Sequence, residues 1–333
     1  MTAAAILSIE GTTLTPRERA FLHEADPFGL ILFSRNIDSP WQLRALTTEI
    51  RTLLGRDCLI LTDQEGGRVQ RLGPPHWRKW RSALTEVLRA GPKAERVMYL
   101  RGALIGAELW NSGIDTDCAP CADVAGPVTH RFLRNRCFGF DPVLVTRIAR
   151  VTARGLEAGG CLPVMKHLPG HGAARADSHH ALPRVDEDRA TLRRRDFAPF
   201  RGMAALPMAM TAHVLYPAYD PYAPATLSPA VIRAIRSEIG FSGLLMTDDL
   251  TMEALQGSLA TRAAGARAAG CDLVLYSKAN EAEAAEVIGA CGTLEGLSRM
   301  RADAARAARP AGPSIDIAAC EAEFLALTGE GGE

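Results

Sequence analysis

The chain has no excess of either charge: Lys+Arg and Asp+Glu each number 38 in 333 residues. That balance removes the global electrostatic steering that draws proteins to nucleic acid or to anionic membranes. No run approaches the roughly 20 apolar residues that a membrane-spanning helix needs. The opening MTAAAILSIEG lacks a basic segment before its short apolar stretch, so it reads as a first strand rather than a secretory leader. The expected location is the cytoplasm. No GxGxxG or Walker-type loop follows any apolar run, which removes the usual nucleotide cradles, and no HExxH helix or His-x-His strand end is present. The eight cysteines are scattered, and the pair in Cys118-Ala-Pro-Cys121 has no second pair to complete a zinc site. They read as reduced, partly buried thiols acting as small hydrophobes.

What is there is a regular alternation. Short apolar runs occur at 4–9, 29–33, 58–62, 114–118, 162–167, 207–212, 244–247 and 272–276. Continuous apolar runs suit strands covered on both faces, as in a parallel sheet. Helical patterns fill the gaps. Ser39-Pro40 and Ser228-Pro229 each place a cap and a first-turn proline before such a pattern, and Gly55 and Gly240 close them. Further helices are predicted over 93–110, 142–158, 189–203 and 260–269. About eight βα repeats in roughly 280 residues fit a (β/α)8 TIM barrel, with a doubly wound open sheet as the alternative. The Ala- and Arg-rich stretch from about 292 to 333 is expected to add C-terminal helices. With no linker or low-complexity tract, residues 1–333 read as a single catalytic domain.

Polar residues gather where these strands end. The third run leads into Asp63-Gln64-Glu65-Gly66-Gly67-Arg68, the fourth through Asp117 to Asp123, the sixth to His213, and the seventh into Asp248-Asp249. The fifth ends in Lys166-His167 and opens onto LPGHGAARADSHHALP, so four of the eight histidines lie within fourteen residues. In a barrel these ends converge on one rim, where barrel enzymes build their sites. Three chemistries could use them. A metal-dependent hydrolase would take His167, His171, His179, His213 and Asp248 as ligands, without the usual spacing. A pure binding protein would not need a carboxylate beside an acid–base group. Nucleophilic and acid–base catalysis on a sugar would use both.

The segments KHLPGHG and ADSHHALP, taken in order with GLILFSRNI, DQEGGRVQRL, APCADV, NRCFGFDP and TDDLTMEAL, resemble glycoside hydrolase family 3, and within it the single-domain bacterial β-N-acetylhexosaminidases. The resemblance runs from about residue 5 to residue 290. It implies a (β/α)8 barrel and a retaining, two-step mechanism with Asp248 as nucleophile and His179 as acid–base residue. Asp177 would pair with His179, and sugar-binding roles carry over to Asp63, Arg71, Arg136, Lys166 and His167. Asp249 is expected to point away from Asp248 and to cap or orient, because neighbouring strand residues face opposite ways. His171, His213 and Asp123 are expected to support the site rather than touch sugar. The small residues 170–176 suggest a loop that moves His179 over the substrate. The implied reaction is exo-cleavage of terminal non-reducing GlcNAc from GlcNAc-1,6-anhydroMurNAc muropeptides in peptidoglycan recycling. A β-glucosidase or a GlcNAc phosphorylase on the same barrel is the alternative. No cofactor, metal, nucleic acid or membrane partner is implied, and a monomer is compatible with this reading.

Two departures from the family pattern stand out. Leu168 occupies a position usually held by an aromatic residue, and Cys121 and Ala122 replace aliphatics in APxxDV.

Overall fold

The computed structural model describes residues 1–174 and 182–329. Eight parallel strands close into a barrel: β1 (Ala3–Leu7), β2 (Pro27–Ile31), β3 (Leu59–Thr62), β4 (Thr116–Asp117), β5 (Leu162–Leu168), β6 (Met208–Thr211), β7 (Leu244–Asp249) and β8 (Leu273–Leu275). Each strand pairs with its sequence neighbours, and β8 closes against β1 through Ala5–Val274 and Ile6–Leu275. The eight apolar runs coincide with the eight strands to within a few residues, and the fold is the (β/α)8 barrel that the alternation predicts.

The period of two sorts each strand into an inward and an outward set. Ala4 and Ile6, Leu59 and Leu61, Leu162 and Val164, Met208 and Met210, Leu244 and Met246, Leu273 and Leu275 fill the barrel interior, all nearly inaccessible to solvent. The alternate residues, among them Ala5, Ile60, Met165, Ala209, Leu245 and Val274, face the surrounding helices. Burial of both faces explains why the strands read as unbroken apolar runs.

The helices begin where their caps predict. Ser39 accepts from the Gln42 N–H ahead of the helix Pro40–Leu53, and Ser228 accepts from the Val231 N–H ahead of Pro229–Ala234. The pattern predicted as one helix over 189–203 is instead two, Arg189–Arg194 and Phe197–Arg201. Asp196 stands between them, 1% exposed, in a turn that takes its side chain inward. The helices Ala94–Asn111 and Pro142–Ala158 approach each other through glycines. A Cβ at Gly155 would stand 2.2 Å from the Tyr99 carbonyl oxygen, and one at Gly159 would stand 2.2 Å from that of Ala103.

The bottom of the barrel is tied by ion pairs to two buried carboxylates. Asp115 takes Arg51 at 2.9 Å and Arg309 at 2.8 Å, and Asp272 takes Arg236 at 2.7 Å and Arg301 at 3.0 Å. Two tail helices, Gly296–Ala307 and Ile317–Thr328, follow the last strand. Phe324 of the second sits edge-on to Trp80 with ring centroids 5.5 Å apart, so Trp80 packs rather than lining a sugar site.

Candidate active site

The interior columns change character at their upper ends. Two residues beyond the last apolar interior position stand Phe33, Asp63, Lys166, Asp248 and Ser277, and all five line one hollow of about 130 Å³ at the C-terminal mouth of the barrel. Arg71, Arg136 and His167 line it too, as do Phe132, Met210 and Met252. The structure therefore brings together Asp248 and all five residues expected to hold sugar. Asp177 and His179 lie outside the described residues.

Adjacent residues were expected to diverge, yet Lys166 and His167 share this hollow, as do Asp248 and Asp249. Pairing register accounts for both exceptions. Between β5 and β6 it slips after Met165, and between β7 and β8 it slips after Met246. Each slip sets one extra residue against the neighbouring strand, as a bulge does, and turns both side chains to the rim. The orienting role expected of Asp249 fits its contacts. Its carboxylate accepts from the Thr251 hydroxyl at 2.6 Å and from Ser277, and its backbone N–H donates to Asp248 Oδ1 at 2.8 Å.

Three cations and two carboxylates are matched around the wall. Lys166 Nζ donates to Asp63 Oδ1 at 2.8 Å and lies 2.6 Å from Glu65 Oε1. Arg71 donates to Asp63 Oδ2 at 2.8 Å. Arg136 grips Glu65 with two bonds, Nε to Oε2 at 2.9 Å and Nη2 to Oε1 at 2.7 Å, the fork geometry that only a guanidinium supplies. Lys166 and Arg136 thus both form ion pairs and line the hollow. Burial alone would raise the Glu65 carboxyl, but Arg136 and Lys166 outweigh it and hold it at about 2. Burial opposes Lys166 and Arg71 at Asp63 as well, and the two cations keep that carboxyl well below the usual range. In turn burial lowers Lys166, while Asp63 and Glu65 raise it further, so the ammonium stays charged.

Glu65 is the residue that sequence reasoning passed over. Its signal was its place two residues beyond Asp63, inside a run already rich in polar groups.

His167 is fixed in one tautomer. Arg136 Nη2 lies 3.2 Å from Nε2, and a guanidinium can only donate, so Nε2 holds the lone pair. Nδ1–H then donates to Asp123 Oδ2 at 2.7 Å. Asp123 is fully buried, does not line the hollow, and also accepts the His171 backbone N–H at 2.6 Å. Burial would raise its carboxyl, but the rings of His167 and His171 hold it at about 2. His213 stands behind Asp249, with Nε2–H donating to the Asp249 carbonyl at 2.9 Å and Nδ1 2.7 Å from the Thr226 hydroxyl. Burial lowers its pKa.

Asp248 differs from Asp63 and Glu65 of the wall. Among the described residues it forms no ion pair, and its Oδ1 takes the Asp249 N–H. Burial pushes its carboxyl up, yet His167, His213 and that N–H bring it below its ordinary value. It is therefore an anion with lone-pair capacity to spare, at the mouth of a polar hollow.

The root of the loop after β5 is packed rather than loose. Tyr216 donates to the Gly170 carbonyl at 2.6 Å, Ala174 is buried, and a Cβ at Gly172 would stand 1.9 Å from the Val124 carbonyl oxygen. Gly172 serves close approach to Val124, and Gly170 serves close approach to Asp196. Residues beyond 174 in that stretch lie outside the described set.

Residues 7–309 match the glycosyl hydrolase family 3 N-terminal domain. A beta-hexosaminidase of Alkalilimnicola ehrlichii is 41% identical over 284 residues, which span 83% of this chain and 81% of that protein. One of Pseudomonas aeruginosa is 37% identical over 305 residues, 90% of this chain and 88% of its own. NagZ of Neisseria gonorrhoeae, solved in complex with N-trifluoroacetyl-D-glucosamine, superposes with a TM-score of 0.85 at 30% identity, covering 99% of this chain and 97% of that one. With the polar rim, the buried Asp248 and these likenesses in view, the chain belongs to glycosyl hydrolase family 3: it is a glycoside hydrolase, similar in sequence and structure to that family's beta-hexosaminidases.

Proposed function

We propose that the protein is a retaining exo-β-N-acetylglucosaminidase that removes terminal non-reducing GlcNAc in two steps. The observation that carries the reading is the placement of Asp248, anionic and without an ion-pair partner among the described residues, beside Asp63, Arg71, Arg136, Lys166 and His167 in one hollow. An ionised carboxylate attacks the anomeric carbon and later leaves when water attacks, which splits a difficult displacement into two easier ones. The cations and carboxylates of the wall supply fixed donors and acceptors to sugar hydroxyls. His179 gives the leaving oxygen its proton and takes one from the incoming water, with Asp177 holding its tautomer. Imidazole suits that exchange because its ordinary pKa lies near neutrality.

The natural substrate on this reading is a GlcNAc-1,6-anhydroMurNAc muropeptide, cleaved in the cytoplasm during cell-wall recycling, and the chain works as one catalytic unit with the tail helices as its extension. Its support is the ordered set of family segments and the likeness to NagZ over nearly the whole chain. The test is hydrolysis of chromogenic β-GlcNAc and β-glucoside side by side, with and without phosphate, followed by mass spectrometry of a muropeptide digest. Faster cleavage of the GlcNAc substrate, no acceleration by phosphate and release of GlcNAc from the muropeptide are expected. Faster cleavage of the glucoside overturns the substrate, and a phosphate requirement overturns hydrolysis.

A further inference from the structure

Next to the hollow lies a second, smaller space of about 20 Å³, walled by Glu65, Asp117, Cys121 and Arg136 among others. Arg136 also walls the first hollow, so one side chain separates the two. Next to Cys121 and His167, which line the second and the first space respectively, a sulfur, an oxygen and a nitrogen converge. Cys121, Asp123 and His167 are each less than 5% exposed and offer ligand atoms that all lie within 4.8 Å of one another. Cys121 Sγ approaches Asp123 Oδ2 at 3.3 Å, the same oxygen that takes His167 Nδ1–H at 2.7 Å. Cys137, fully buried, packs in the same small buried cluster as Cys121 and brings a second thiol near it. Neither thiol has a part in the reaction proposed above.

We propose that Cys121, Asp123 and His167, with Cys137 in reach, bind a thiophilic divalent cation, zinc or cadmium, and that its binding inhibits the enzyme from beside the sugar pocket. The donor set is the mixture of thiolate, imidazole and carboxylate that zinc takes. Bonds of about 2.0–2.3 Å to a tetrahedral ion set its ligand atoms roughly 3.3–3.8 Å apart, so the widest present separation closes by about 1 Å. The Arg136 guanidinium on the far nitrogen of His167 opposes any cation. Only ligands that bring negative charge of their own can offset it, which favours a soft ion that binds thiolate over magnesium or calcium. The ion replaces the thiol proton, which leaves to solvent, and takes the lone pair of Nδ1 once the ring proton has moved to Nε2, which breaks the contact with Arg136; it also takes the Asp123 oxygen that now orients His167. That ring lines the sugar hollow beside Asp248, so its displacement weakens substrate binding.

The inhibition readout rests on the glycosidase reading; a direct binding readout does not. Wild type, Cys121→Val and Cys137→Val would be titrated with zinc during hydrolysis of chromogenic β-GlcNAc, each against its own metal-free rate, and with cobalt(II) in the absence of substrate. Wild type is expected to lose activity to zinc but not to magnesium, and C121V to need about ten- to a hundred-fold more zinc. Cobalt is expected to give a thiolate charge-transfer band in wild type that C121V lacks and C137V weakens. Equal zinc sensitivity of C121V and wild type, or no thiolate band, overturns the site. Should C121V fail to fold, Cys121→Ser keeps the shape with a poorer donor and carries the same expectations. A thiolate band in an enzyme inactive on every glycoside supports the cation site and overturns the proposed function instead.

Discussion

Glu65→Gln is the sharpest perturbation of the polar wall, because one oxygen pair of Glu65 serves both Arg136 and Lys166 inside the protein. The carboxyl falls from an ordinary 4.5 to about 2 on folding. At about 1.4 kcal/mol per pH unit this corresponds to about 3 kcal/mol. The sign follows from the direction: a depressed carboxyl stabilises the fold above its unfolded pKa, and that contribution drains away as pH falls from near 4.5 towards 2. Removing one partner of a buried pair costs about 3–5 kcal/mol, because the remaining charges stay buried. Gln keeps one acceptor for Arg136, so the lower end applies. Denaturant unfolding at pH 7 should show a loss of about 3 kcal/mol. The loss should shrink below pH 4, where the wild type begins to lose the same contribution. Hydrolysis kinetics should show a raised KM, as Arg136 and Lys166 leave the positions they hold in the wall of the hollow. Wild-type stability together with wild-type KM in E65Q would refute the view that this network holds the site in shape.

Three further outcomes follow from the same reasoning. Asp123→Asn places an amide where His167 Nδ1–H now finds a carboxylate, so the ring loses a charge-assisted bond worth about 1.5–3 kcal/mol; steady-state kinetics should show KM raised by about 10- to 100-fold. Asp117→Asn acts in the opposite sense on stability: burial pushes this carboxyl up to about 7, so its contribution to folding is complete below the ordinary 3.8 and is lost as pH rises towards 7. Asn can still accept the Gln64 N–H, so unfolding experiments should find the variant more stable than wild type at pH 8, by at most about 4 kcal/mol, with little gain at pH 4. His179→Ala should lower kcat by about 10²–10⁴-fold and remove the limb of the pH–rate profile that the acid–base group sets; an unchanged profile assigns the proton transfer elsewhere.

The barrel was legible because burial on both strand faces writes a plain signal: eight apolar runs separated by capped helical patterns. The split of 189–203 was not, since the reason is a buried acid, Asp196, that periodicity does not register. Asp63, Lys166 and Asp248 could be placed at strand ends from the order of residues alone, and counting by twos from the interior Leu61, Val164 and Met246 would have aimed all three inward. The same counting misplaces His167 and Asp249, because register slips are set by pairing with the neighbouring strand and leave no mark on the strand's own sequence. Glu65 shows a different limit. A charged residue in a polar loop looks solvated, and only the fold reveals that Arg136 and Lys166 reach it from other strands and loops.

The central claim is that Asp248 bonds covalently to the sugar. An activated β-GlcNAc glycoside fluorinated on the ring slows both steps and lets the intermediate accumulate; proteolysis and mass spectrometry then locate the label. The account predicts one sugar per chain, on the peptide carrying Asp248, and no label in Asp248→Ala. A label on Asp63 or Asp249, or turnover with inversion and no covalent species, contradicts it.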